Sequence, residues 1–86
     1  MTPEEIQKTL ETAFPESRVA VRDLTGTGDH YHAVVGYADF EGKSLIQQHQ
    51  MVYGALGAAV GAEIHALMLK TCLPEEFEAA VAAAAS

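Results

Sequence analysis

The chain has a single cysteine, Cys72, no tryptophan and only five basic residues in 86. One thiol excludes an internal disulfide framework, and with it the small secreted folds that depend on one. No apolar run reaches the roughly 18 residues of a membrane span, and the start lacks the charged-then-apolar layout of a signal peptide. A reducing cytoplasm is the expected setting. Lys8, Arg18, Arg22, Lys43 and Lys70 are scattered against twelve acidic residues, a formal net charge of −7. Such a balance repels nucleic acid and anionic membrane at long range. A chain this short builds one two-layer core and no deep enclosed substrate cavity. It is expected to be one domain, residues 1–86, and not an enzyme.

What is present organises around Phe40–Lys70. Ser44 is a good N-cap after the break at Gly42, and apolar residues then recur on a helical period. Leu45, Ile46, Val52, Tyr53, Leu56, Ala59 and Val60 share one arc, expected to be buried, with Gln47, Gln50, Gly54 and Ala58 opposite. Gly61 is expected to stop this helix, and Ile64–Leu69 reads as a covered strand. Upstream, Thr2-Pro3-Glu4-Glu5 predicts a capping box and a helix with the stripe Ile6, Leu10, Ala13 and Phe14, ended by Pro15. Alternation over Arg18–Leu24 and His30–Tyr37, joined by the turn 25–29, predicts an antiparallel hairpin. A strand, helix, strand unit follows and implies parallel pairing of the second and third strands. The fold class is α+β, in the order α-β-β-α-β-α on a three-stranded mixed sheet. A last helix starts at Pro74, and its Ala-rich end, about 79–86, has little to bury and is expected to fray.

The candidate chemistry rests on four histidines. His49, central in the apolar arc, reads as a packed, hydrogen-bonded structural residue. At the junction of loop and strand, His30 divides evenly between a ligand and a solvated loop residue. His32 shares its strand face and could help hold a metal, although a half-exposed strand histidine is commoner. His65, on the face of Leu67 and Leu69, reads on spacing alone as a strand-end core residue. Gly26-Thr27-Gly28 lacks the following helix of a dinucleotide loop, and Gly54-Ala55-Leu56-Gly57 lies inside a helix rather than in a basic nucleic-acid-binding loop. No nucleophile and base stand at local spacing, so no residue is assigned as catalytic.

Taken together, Gly-Thr-Gly-Asp-His at 26–30, Phe-Glu-Gly-Lys-Ser-Leu at 40–45, His49 with Val52-Tyr53 and Ala55-Leu56, Ile-His-Ala-Leu at 64–67 with Leu69-Lys70, and Pro-Glu-Glu at 74–76 resemble the BolA family over nearly the whole chain. The resemblance implies a class II KH-like topology, in agreement with the order read from the residues. It also implies partnership with a monothiol glutaredoxin, through a shared [2Fe-2S] cluster or direct contact, in iron-sulfur trafficking or iron and redox regulation. His30 places the chain with members that carry histidine in the hairpin loop, and His65 matches the family histidine near the last strand. Those two are the implied metal ligands, with His32 and Cys72 as substitutes outside the usual pattern. The cluster would be shared with glutaredoxin and glutathione, and none is expected in the isolated chain. A DNA-binding regulatory role is also attached to the family, but its usual Arg-His-Arg is Gln48-His49-Gln50 here, which argues against nucleic acid. A metal-free adaptor and a weak homodimer stay open.

Overall fold

The computed structural model describes residues 1–24, 26, 30–64 and 66–85. Helix α1 spans Pro3–Ala13, and Thr2 caps it in the predicted box: its hydroxyl accepts from the Glu5 amide at 3.1 Å, and Glu5 accepts from the Thr2 amide at 2.7 Å. The second bond, the larger influence, holds the Glu5 carboxyl below its ordinary pKa. Ile6, Leu10 and Phe14 are buried, while Ala13, expected in the same stripe, is exposed.

Strands β1 (Arg18–Asp23) and β2 (His30–Gly36) pair antiparallel, and β2 pairs parallel with β3 (Ala66–Cys72). The sheet is three-stranded and mixed, with β2 central. Tyr31 and Val35 on β2 and Val19 on β1 join the core with α1, Phe40 and the buried residues Val52 and Leu56 of α2. Phe14, Tyr37 and Phe40 close one end of it, with ring centroids 5.0 to 6.1 Å apart.

Three expectations change in the central segment: the end of the helix, the extent and cover of the third strand, and the buried arc. Helix α2 spans Leu45–Leu56 and ends at Gly57, whose φ of 60° and ψ of −136° suit a residue without Cβ, rather than at Gly61. A short 3-10 turn, Gly57–Ala59, and the bridge Val60–Ile64 follow. Strand β3 accordingly starts later than Ile64 and runs on to Cys72; it is half covered, with exposed and intermediate positions alternating from Ala66 to Lys70. The arc of α2 is also different. Leu45 is 62% and Ile46 71% exposed, and Tyr53 is exposed, so the buried side is carried by Val52 and Leu56, flanked by Met51 and Ala55. Apolar residues spread over more than half of this helix's circumference, with only Gln47, Gln50 and Gly54 on the far side, so their period does not identify which part of the arc is covered.

Helix α3 (Phe77–Ala85) follows a 3-10 turn at Pro74–Glu76 and lies on the sheet face opposite α1 and α2. Leu73, a poor cap by its side chain, is served instead by Glu76, whose carboxylate accepts from the Leu73 amide at 2.9 Å. Gly36 admits the start of this layer: a Cβ there would stand 3.2 Å from the Phe77 Cβ. Arg18 sits 5.1 Å from the Phe77 ring centroid and 3.4 Å from the Glu78 carboxylate. Near the other end of the Ala-rich run, the Arg22 guanidinium donates to the Ala84 carbonyl at 3.0 Å.

Candidate functional site

His30 is the first residue of β2 and is exposed. Its register partner is Ala66, the first residue of β3, because parallel pairing brings the starts of both strands to one end of the sheet. The other implied ligand, His65, lies outside the described residues, as do Thr25, Thr27, Gly28 and Asp29 of the loop. At the described entry to that loop, the Asp23 carboxylate accepts from the Gly26 amide at 2.9 Å. Tyr31, between the two strand histidines, is fully buried and donates its hydroxyl to the Met1 carbonyl. Alternation of side chains therefore turns His30 and His32 together onto the face away from α1 and α2.

His32 is half-buried and borders a small cavity of about 90 Å³ with Arg22, Val81 and Ala84. Cys72 is not brought near His30. It pairs with Gly36, six positions farther along the strands from the His30–Ala66 pair, or about 20 Å at the usual strand rise. Its thiol is buried, lies 3.8 Å from the Val35 carbonyl, and is pushed above its ordinary pKa by burial first and by the Glu76 charge second. Such a thiol is a poor ligand in its resting place, because the thiolate is the ligating form. Among the described residues, no three His, Cys, Asp or Glu side chains converge as a metal site.

His49 is half-buried, and its Nε2 has no hydrogen-bond partner among the described residues, contrary to the bonded role read from sequence. An orphaned polar atom costs folding energy that an apolar side chain of similar size avoids. His49→Leu is therefore expected to raise stability by about 1 kcal/mol, read as a higher urea midpoint at unchanged m-value. A lower midpoint would show that the ring makes a contact worth more than the orphan costs.

Gln48 carries a role that sequence reasoning missed. Its amide nitrogen donates to the Phe40 carbonyl at 3.2 Å and the Lys43 carbonyl at 2.9 Å, and its amide oxygen accepts from the buried Thr71 hydroxyl at 2.5 Å. Only Thr71, next to Lys70 on a strand otherwise apolar from Leu67 to Cys72, hinted at a polar partner across the layer.

Fold and site together define a small α+β domain that offers an exposed histidine at the end of a mixed sheet. The family model described as BolA-like protein matches residues 2–76, and the chain belongs to that family. An uncharacterised protein of Rickettsia prowazekii is 38% identical over 71 residues, covering 83% of this chain and 92% of that one. The DNA-binding transcriptional regulator BolA of Escherichia coli is 28% identical over 85 residues, covering 91% and 81%. Among solved structures, a BolA protein homologue from Coxiella burnetii is 40% identical, covers 91% of this chain and 97% of its own, and superposes with a TM-score of 0.76. No helix of the described residues is long and apolar enough to cross a membrane.

Proposed function

We propose that this chain completes a [2Fe-2S] site with a monothiol glutaredoxin and works in iron-sulfur trafficking or iron and redox regulation, as a binding partner rather than a catalyst. The observation that carries this reading is the parallel register, which sets exposed His30 beside Ala66, the residue that directly follows His65 in the chain. An exposed imidazole at a strand start suits a ligand presented to another protein. A [2Fe-2S] unit needs four ligands, commonly thiolates, so His30 and His65 supply half of the set. A glutaredoxin cysteine and glutathione supply the sulfur. Bound there, the cluster would provide one-electron chemistry and a transferable iron-sulfur unit.

The test is to mix the full chain with a monothiol glutaredoxin, glutathione, iron and sulfide, and to record visible spectrum and complex mass. A coloured heterocomplex with a spectrum unlike that of the glutaredoxin alone supports the proposal. A colourless complex would favour a metal-free adaptor, and no complex would overturn both.

The names of relatives such as the Escherichia coli regulator raise DNA binding as a second reading. Against it, Arg18 and Arg22 are engaged with α3, Lys43 donates to the Asp39 carbonyl at 2.6 Å, and Gln48 is committed to internal bonds. Duplex affinity at physiological salt is expected to be weaker than about 10⁻⁵ M, with no sequence preference. A submicromolar, sequence-selective mobility shift at that salt would promote the regulator reading.

A further inference from the structure

On the sheet face that carries α3, His30 and His32 stand two residues apart on β2, and His32 pairs in register with Met68 on β3. Strand geometry puts the two histidine Cα atoms roughly 6.6 Å apart and the His32 and Met68 Cα atoms about 4.8 Å apart, all three side chains on one face. Met68 is 60% exposed and His30 is exposed, while the residue completing the square, Ala66, carries no side chain that would fill the space between them.

We propose that His30, His32 and Met68 form a binding site for a single soft monovalent metal ion, Cu(I). Two imidazole nitrogens and a thioether sulfur are a neutral, soft donor set. Thioether selects Cu(I), whereas Zn(II) is held by thiolate, imidazole and carboxylate, and Mg(II) by oxygen. A neutral set also favours a single positive charge over two. The nearest cation on this face, Arg22, pairs with His32 across β1 and β2, but its guanidinium is drawn to the Ala84 carbonyl. The surrounding net charge of −7 attracts a cation. This site does not rest on the shared cluster. It uses His30 in a different ligand set, so copper and cluster would exclude one another on that residue.

The test is an anaerobic titration of the full isolated chain against Cu(I) held by bicinchoninate, whose colour falls as copper leaves it. Wild type is expected to withdraw one equivalent. Met68→Leu, a near-isosteric change at an exposed position, is expected to keep the fold and weaken binding about tenfold or more, and His32→Ala to do the same. Far-UV circular dichroism checks the fold of each, and Met68→Leu decides the matter if His32→Ala does not fold. No withdrawal by wild type, undiminished binding in Met68→Leu, displacement by equimolar Zn(II), or loss of binding in Cys72→Ser would each overturn the proposal. Met68→Leu should leave the glutaredoxin spectrum unchanged, so either proposal can fail without the other.

Discussion

His65→Ala is expected to abolish the altered visible spectrum of the glutaredoxin mixture, and His30→Ala to weaken it. The asymmetry follows from position. His30 begins a strand at the end of a glycine-rich connection, and His32 lies two residues on along the same face, so a second imidazole is at hand when the first is removed. Among the described residues position 65 has no such substitute: Cys72 is buried at the opposite end of β3, and burial pushes its thiol above the ordinary pKa. Replacing thiolate by neutral imidazole also lowers the negative charge on the cluster, so the heterocomplex should have a higher reduction potential than an all-thiolate glutaredoxin homodimer. Visible circular dichroism of the mixture reads the first effect and potentiometry the second. If both single variants and the double variant kept the wild-type dichroism, the shared cluster would be excluded and the metal-free adaptor would stand.

Gln48→Leu is expected to cost about 2–4 kcal/mol, a large part of the stability typical of a domain this size. The variant loses three hydrogen bonds at once, to the Phe40 and Lys43 carbonyls and from the Thr71 hydroxyl. Thr71 is only 5% exposed, so its hydroxyl would be left without its acceptor in a place that excludes solvent. These bonds fasten the start of α2 to the turn that precedes it and to β3, and they explain why the exposed Leu45 and Ile46 do not draw that end of the helix inward. Urea denaturation measures the loss, with exposed Gln50→Leu as the control. Adding Thr71→Val to Gln48→Leu should recover at least about 0.5 kcal/mol, because the stranded hydroxyl is removed with its partner. Equal midpoints for Gln48→Leu and Gln50→Leu would reject the clamp.

The sequence by itself determined the features whose causes are local. The Thr2–Glu5 capping box and the Ser44 cap, whose hydroxyl accepts from the Gln47 amide, bond within four residues, and the period of two in β1 and β2 records a sheet with alternating faces. The parallel return to β3 follows from the length of the crossover, and the family from motifs kept in order along the chain. What only the tertiary structure decided depends on neighbours distant in sequence. Which part of the apolar arc of α2 is covered was hidden because that arc spans more than half of the helix, and the choice falls to contact with α1 and the sheet. Gly57 rather than Gly61 ends it because Val60 is taken up in the bridge to Ile64. The Ala-rich run carries no side chain that announces a partner; its place comes from Arg18 and Arg22 reaching over from β1, and from Gly36 leaving room for Phe77. Gln48 reads in the sequence as the replacement of a family arginine, and is a half-buried clamp because β3 brings Thr71 within reach. Capping and alternation are decided within a few residues of backbone, whereas burial is decided by whatever surface folds against a residue, and a single chain's letters do not name that surface in advance.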